Sequence, residues 1–181
     1  MSEALNIPTE IEENEAGLNG IVTIIQSELM GLEWLQKNAL GRLKPQLVAG
    51  KLEPWIQRSA DSAEYYPAYP NDTVDSFSCL YFHDDEECFN EIYVKRTLSI
   101  IVWANLQAIK LSKEELKRDV RGLLRELDCV MELGRSVDQT VTGAQSIYPG
   151  FDVSGLEERY NTYPYTAFRL ECIVYFADLC Y

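Results

Sequence analysis

The sequence predicts an α+β fold in which an antiparallel or mixed β-sheet carries helices mainly on one face. The first observation is the stretch from Glu91 to Ala104, EIYVKRTLSIIVWA, where apolar and polar residues alternate. One face carries Ile92, Val94, Leu98, Ile100 and Val102, and the other carries Tyr93, Lys95, Thr97 and Ser99. A period of two is typical of a strand with one buried face. Ile101 and Trp103 make the far end apolar on both faces, which indicates cover on both sides there.

A similar strand pattern near the C-terminus is the second observation. Its apolar positions are Phe168, Leu170, Cys172, Val174 and Phe176, which alternate with Arg169, Glu171 and Tyr175. We therefore expect two long strands in one sheet, each with a buried face.

The third observation is an amphipathic helix between these strands. Ser112 and Glu115 fit a capping box, and Leu111 with Leu116 fits the hydrophobic staple outside it. The apolar stripe that follows consists of Leu116, Val120, Leu123, Leu124, Leu127 and Met131. Gly134 is placed to end the helix. The stripe predicts packing of this helix onto the sheet.

The chain divides into an acidic N-terminal arm, residues 1–16, and one α+β domain, residues 17–181. The arm contains five glutamates and Pro8, which favours a flexible segment or one ordered by a partner. A helix is predicted from Gly17, with apolar residues at helical spacing as far as Leu35 and possible breaks at Gly31 and Gly41. Residues 51–75 are predicted to be loop-like, and residues 76–82 a short strand that leads through the charged turn HDDEE into a hairpin.

Residues 135–148 show no clear period. A loop of this length is uncommon in a compact domain unless it works as an arm or a binding loop, and its Val and Thr content also suits a β-hairpin extending from the body. Val137, Val141 and Ile147 are apolar enough to indicate burial against a neighbouring subunit. The sequence thus predicts a projecting loop or hairpin arm here.

Composition and charge exclude several classes of protein. The chain has 181 residues and a formal net charge of -13, which disfavours nucleic-acid binding as its main role. The N-terminus lacks the features of a secretory signal. No apolar run is as long as a membrane span, which needs about 20 residues. We therefore expect a soluble protein without membrane association. The five cysteines form no CxxC pair, and reduced thiols are expected.

The sequence carries no catalytic signature. His83 is the only histidine, and the adjacent acidic turn does not match an EF-hand loop. There is no GxSxG, P-loop or GxGxxG motif. We therefore expect no catalytic residues, no metal site and no cofactor, and we do not expect an enzyme.

The order of these parts resembles that of phage neck proteins of the tail-terminator or tail-completion kind, the rings of the head–tail connector. The pieces that carry the resemblance are GLEWLQKNALGRLKP at 31–45, PAYPNDTVDSFSCLYF at 67–82, YVKRTLSIIVW at 93–103 and YPYTAFRLECIVYF at 163–176. Most of the chain beyond residue 16 is covered, and the similarity extends in particular to neck or ring proteins of tailed phages of gut Bacteroidetes, including crAss-like phages.

The resemblance implies a tail-terminator-like fold and a homo-oligomeric ring at the portal–tail junction, assembled in the host cytoplasm and located in the virion. It implies contacts with the portal and with other neck and tail proteins, and function by assembly alone. An acidic lumen would let DNA pass without specific binding, through like-charge repulsion.

Two other classes of function remain open. The first is a monomeric protein-binding adaptor that uses an aromatic loop patch formed by Trp55, Tyr65, Tyr66 and Tyr69. Pro-rich aromatic loops of this kind are more often packed coverings. The second is a small hydrolase that uses the region around His83, for which the sequence supplies no orienting third group.

Overall fold

The computed structural model describes residues 16–35, 38–57, 65–85, 87–88, 93–140 and 143–177. Its architecture is a mixed α+β fold built on one eight-stranded sheet. The acidic arm predicted for residues 1–16 lies outside the described residues except for Ala16, which already belongs to the first helix.

The first helix and the last strand lie close to the positions predicted for them. The helices are α1 (Ala16–Leu29), the short α2 (Leu106–Ile109) and α3 (Lys113–Arg125). The strands are β1 (Ala39–Val48), β2 (Lys51–Gln57), β3 (Tyr65–Pro67), β4 (Ser76–Phe82), β5 (Glu87–Cys88), β6 (Tyr93–Asn105), β7 (Val130–Asp138) and β8 (Tyr165–Ala177). Short 3-10 turns lie at Glu33–Leu35, Ala144–Ser146 and Glu158–Asn161.

The sheet has the strand order β3-β2-β1-β4-β6-β8-β7, and β5 pairs with β6 beyond the end of β4. β1 and β4 are parallel, while the other neighbouring strands pair antiparallel. The β6–β8 pair is the longest and runs in register from Tyr93 opposite Ala177 to Asn105 opposite Tyr165. The two strands predicted with most detail therefore lie side by side within the sheet.

One face of the sheet is covered by α1 and α3. Its core contains the predicted inward residues of both central strands, among them Leu98, Ile100, Phe168 and Leu170, all at most 1% exposed. The predicted capping box of α3 is present, because Ser112 and Glu115 each accept a hydrogen bond from the other's backbone N–H. The prediction of helices mainly on one face is confirmed.

Among the described residues, those that cover the other face extend over only half of its length. Residues 144–160 fold across it and bury Ile147, Tyr148, Phe151 and Tyr160 against Trp103 and neighbouring apolar side chains. This second core reaches Cys79, Ile101 and Ala167 in the sheet. Beyond it the sheet side chains are half-buried or exposed; this part, the open half, consists of Tyr93, Lys95, Thr97, Glu171, Ile173 and Tyr175.

Several sequence-based expectations are wrong. Residues 51–75 are not simply a loop, because Lys51–Gln57 and Tyr65–Pro67 are strands that pair with each other. The α3 helix ends at Arg125, so Met131 is not part of its stripe, and Gly134 lies in β7. A Cβ on Gly134 would stand 3.0 Å from the backbone oxygen of Glu171, which explains a glycine there through close strand contact.

The described residues of the predicted projecting arm, 135–140 and 143–148, are part of the body. Residues 135–138 belong to β7, which pairs with β8. Ile147 and Tyr148 are fully buried in the second core. Of the apolar residues that suggested contact with a neighbour, Ile147 is thus packed within the subunit.

The four cysteines within the described residues divide into two kinds. Cys79, Cys129 and Cys172 are free thiols, as expected, and burial raises the pKa of Cys172 to about 12. Cys88 is disulfide-bonded, so the expectation of reduced thiols is wrong at this position. Within the described residues, no helix has the length and apolar character needed to cross a membrane.

Candidate assembly surfaces

The most exposed aliphatic residues of the described chain lie at the tip of the β1–β2 hairpin. Leu47 stands opposite Leu52 in the register, with 72% and 48% of their surfaces exposed. Val48, which is 37% exposed, precedes a two-residue turn in which Ala49 and Gly50 both have positive φ, as expected of a tight hairpin. We call Leu47, Val48 and Leu52 the hairpin tip.

The Leu47–Leu52 pair continues an apolar column of the hairpin. At the base of this column, Leu43 stands opposite Ile56, and both are buried in the second core. Pro45 and Pro54 are the next pair, and Leu47 and Leu52 follow them on the same face. An apolar column that runs out of the core into solvent is a candidate contact surface.

The hairpin tip is held in place by the segment that covers the second face. The backbone N–H of Asp152 donates a hydrogen bond of 2.6 Å to the oxygen of Leu52. Lys51 Nζ lies 3.1 Å from the Asp152 carboxylate and donates to Ser154 Oγ at 3.2 Å. Hydrogen bonds from the side chain and backbone of Ser154, followed by the one from Lys51, lower the pKa of Asp152 to about 2. The carboxylate is therefore ionised at neutral pH and pairs with Lys51 beside the tip.

A pocket of about 370 Å³ lies next to this anchor, between residues 143–145 and 152–154, with Leu156 and Asn161. Its polar groups already serve the local fold. Gln145 Nε2 donates to the oxygen of Phe151 at 2.9 Å, and Asn161 Oδ1 accepts from Gln139 at 2.9 Å. The residues that line this pocket are thus part of the segment that holds the hairpin tip in place.

The open half of the sheet is a second surface with apolar groups. The rings of Tyr93 and Tyr175 pack edge to face with their centroids 5.8 Å apart. Ile173 adjoins Tyr175 on this face, with Glu132 of β7 opposite it. Carboxylates border the patch, because Glu87 pairs with Lys95 at 2.9 Å and Asp85 accepts a hydrogen bond from the N–H of Thr97 at 3.0 Å.

A polar network separates the open half from the second core. His83 Nε2 lies 2.8 Å from Ser99 Oγ, and Arg169 Nη1 lies 3.1 Å from Glu171. Burial is the main cause that lowers the pKa of His83. Ser99 is fully buried. The Ser99–His83 pair is the nearest arrangement to the hydrolase alternative, and its geometry suits a structural hydrogen bond.

The three residues of the predicted arm that were expected to contact a neighbouring subunit differ in their positions. Ile147 is fully buried in the subunit's own core, so its assignment as a partner contact is wrong. Val137 is half-buried in β7 opposite Arg169, and Val141 lies outside the described residues. The structure therefore does not bring these three positions together as one exposed surface.

Two of the four side chains in the predicted aromatic patch pack against the subunit's own core. Tyr66 and Tyr69 pack against the second core, and the Tyr69 hydroxyl donates to the oxygen of Asp152 at 3.1 Å. Trp55 Nε1 donates to Glu53 at 3.0 Å, and Trp55 and Tyr65 are half-buried. A partner contact at Trp55 or Tyr65 stays a prediction.

The hairpin tip was not predicted from the sequence. Gly41, Pro45, Gly50 and Pro54 interrupt the strand patterns of β1 and β2, and such residues normally indicate loops. The available signal was the pair of short apolar runs on either side of Ala49-Gly50, which is typical of a two-residue turn.

Comparisons of the chain with protein-family models, curated proteins and solved structures gave no match.

Proposed function

We propose that this chain is a structural virion protein that forms a homo-oligomeric ring at the portal–tail junction of a phage neck. It acts by subunit assembly and not by catalysis, and its neighbours are the portal and other neck and tail proteins. The observation that carries the assembly part of the proposal is the Leu47–Leu52 pair, exposed at the end of an anchored hairpin. The neck location follows from the sequence resemblance, which includes residues 31–45 at the start of this hairpin.

The anchored tip favours assembly for a physical reason. Covering exposed leucine side chains removes apolar surface from water, which is worth roughly 25 cal/mol per Å². A tip already fixed by Asp152 loses little conformational entropy on binding, so more of this free energy is retained. A rigid apolar tip is thus suited to contact another protein.

The separation of the two surfaces favours a ring. The hairpin tip belongs to β1 and β2, whereas the open half belongs to β6 and β8, farther along the sheet. Contacts between different surfaces of identical subunits are heterologous, and they close into rings or continue as filaments. A ring fits the passage of DNA, since a chain with net charge -13 repels phosphates on average.

The test compares the full chain with variants of the tip, alone and with the portal protein of the same phage. We expect light scattering and negative-stain microscopy to show rings for the natural chain. The double variant Leu47→Ser/Leu52→Ser should remain monomeric with an unchanged melting temperature. Ile24→Ser is the matched control, because Ile24 is 45% exposed but lies on α1.

Two results would contradict the proposal. The first is a natural chain that remains monomeric at all concentrations, with and without the portal protein, as a monomeric adaptor would. The second is full ring formation by the Leu47→Ser/Leu52→Ser variant, since the tip would then carry no part of the assembly.

A further inference from the structure

We propose that a disulfide bond joins Cys88 of β5 to Cys180 and acts as a redox-sensitive tether between β5 and the chain beyond β8. The chain has five cysteines, and three of them, Cys79, Cys129 and Cys172, are free thiols. Cys88 is disulfide-bonded. The one cysteine that remains as its partner is Cys180, which lies outside the described residues.

The register of the sheet puts this bond within reach. Cys88 stands opposite Val94 of β6, and Phe176 of β8 stands opposite Val94 on the other side. Neighbouring strands lie about 4.8 Å apart, so β5 and β8 are separated by roughly 10 Å. The chain from Ala177, the end of β8, to Cys180 can span roughly 10 Å, and the disulfide adds about 5 Å between its two α-carbons. The available length therefore exceeds the distance to be crossed.

The tether belongs to the face of the sheet that α1 and α3 cover. Residues directly opposite each other in an antiparallel pair have side chains on the same face. Val94 and Phe176 are buried in the core beneath these helices, so Cys88 shares their face. Its neighbour Glu87 points to the other face, where it pairs with Lys95 at 2.9 Å. The bond thus lies on the opposite side of the sheet from the open half.

Exposure makes this bond the reactive cysteine site of the described chain. Cys88 is exposed, whereas Cys79 and Cys172 are buried. Burial raises the pKa of Cys172 to about 12 and also raises the pKa of Cys129. The thiolate is the form that attacks a disulfide, so these free thiols are poorly suited to exchange with the bond. A small thiol in solution can reach Cys88, and exposed disulfides are the ones that such thiols reduce most readily.

Reduction of the tether is a balanced exchange with a dithiol such as dithiothreitol. The dithiol attacks one sulfur and breaks the S–S bond, and its second thiol then closes a new disulfide within the reagent. The protein gains two thiols, and the reagent supplies the two electrons and two protons. The closed bond spans about 90 residues, which include β6, α3, β7 and β8, and so it restricts the unfolded chain. The oxidised subunit should therefore be the more stable form.

The redox state of the surroundings then decides whether the tether is closed. Thiol pools in the cytoplasm keep exposed disulfides reduced, while oxidising surroundings preserve them. In one respect this inference rests on the proposed function: during assembly in a host cytoplasm the tether would be open, and in a released virion it would be closed. The bond itself and its response to dithiols do not depend on that function.

Peptide mapping without reductant tests the pairing. Free thiols are first alkylated in denaturant at low pH to prevent exchange. Cleavage after glutamate and before aspartate then releases residues 88–91 and residues 178–181 as short peptides, separate from Cys79 and Cys172. We expect mass spectrometry to find these two peptides linked, and to find them apart after dithiothreitol.

Thermal denaturation with and without dithiothreitol tests the tether. The natural chain should melt at least about 5 °C lower when reduced. Cys88→Ser/Cys180→Ser should melt like the reduced natural chain and should not respond to the dithiol. Cys129→Ser is the matched control, because Cys129 is a free thiol and its loss should leave the response intact. Alkylation of the folded, reduced chain should label positions 88 and 180.

The outcomes distinguish the tether from the proposed ring. A link from Cys88 to any other cysteine, or a covalent dimer through Cys88, would overturn the pairing. A bond that dithiothreitol cannot reduce in the folded chain, or an unchanged melting temperature on reduction, would overturn the tether. Neither result touches the ring. A chain that stays monomeric would overturn the ring and leave the bond in place.

Discussion

Trp103 Nε1 donates a hydrogen bond of 2.8 Å to the hydroxyl of Tyr148, and both side chains are almost completely buried. The same hydroxyl donates to the backbone oxygen of Ala68. Tyr148 thus links β6, the loop after β3 and the cover of the second face at one atom. This link is one of the contacts that join the segment ending at Tyr148 to the subunit's own body, and burial raises the pKa of this tyrosine.

Tyr148→Phe is predicted to destabilise the subunit by about 2 kcal/mol, because the Trp103 N–H and the Ala68 oxygen would both lose a buried partner. For a domain of this size the melting temperature should fall by roughly 4–8 °C. Tyr163→Phe is the control, since Tyr163 is 76% exposed and should leave the melting curve unchanged. Equal melting temperatures for the two variants would show that the link contributes little.

Leu124→Asp is predicted to unfold the subunit. Leu124 is fully buried between α3 and the sheet, and an unpaired charge there costs several kcal/mol. Gly122→Asp adds the same charge to the same helix at an exposed position and should remain folded. Circular dichroism and thermal denaturation give the readout. A cooperative, soluble Leu124→Asp variant would mean that the α3 stripe faces solvent or a partner.

Two glycine substitutions should act in opposite directions. Gly122→Ala should stabilise by about 0.5–1 kcal/mol, because Gly122 lies within α3 and a Cβ there meets nothing within 4 Å. Gly134→Ala should destabilise, because its Cβ would stand 3.0 Å from the Glu171 oxygen in the neighbouring strand. Urea denaturation measures both. Stabilisation by Gly134→Ala would mean that β7 can move away from β8 at no cost.

The stability of the α3–β7 contact should depend on pH through Asp138. Burial alone would raise the pKa of Asp138, but hydrogen bonds from Lys117 and Lys113 outweigh it and hold the pKa below its usual value of 3.8. The folded state therefore favours the ionised carboxylate, and the resulting stability is present above pH 3.8 and is lost as the pH falls through the lower folded pKa.

Asp138→Asn should accordingly be less stable than the natural chain at pH 7, and the difference should shrink in acid below about pH 4. Asp128→Asn, at an exposed turn after α3, should leave stability at pH 7 unchanged. Denaturant titrations at several pH values test this prediction. A difference for Asp138→Asn that stays constant down to pH 2 would contradict it.

The parts of the fold that the sequence predicted are those with an uninterrupted period. β4, β6, β8 and the beginning of α3 are present because their alternation or capping box is local and is satisfied by the sheet that they form. β7 was missed since its irregular pairing around Glu132 and Gly134 removes the alternation from the sequence. The hairpin was not predicted because Pro45 and Pro54 normally indicate loops. In the structure the two prolines stand opposite each other in the paired strands.

The candidate surface was harder to predict than the fold. Ile147 and Leu47 are both apolar residues in stretches without a clear period, yet one is fully buried and the other is 72% exposed. The difference arises from chain segments far away in sequence, because Ile147 packs over the sheet near Trp103, while nothing in the second core extends over Leu47. The local sequence pattern does not show which distant segment of the chain will cover a given residue.

Anchoring of the hairpin by the cover also bears on the order of folding. The hydrogen bond between Lys51 and Ser154 joins residues 103 positions apart, and closing so long a loop costs more entropy than forming the hairpin itself. During synthesis the hairpin can pair early, but its tip is held only after residue 154 has left the ribosome. A nascent chain therefore carries the hairpin without its anchor until residues 152–154 have been made. Pulsed hydrogen exchange during refolding should show the Asp152 amide becoming protected after the amides of α3.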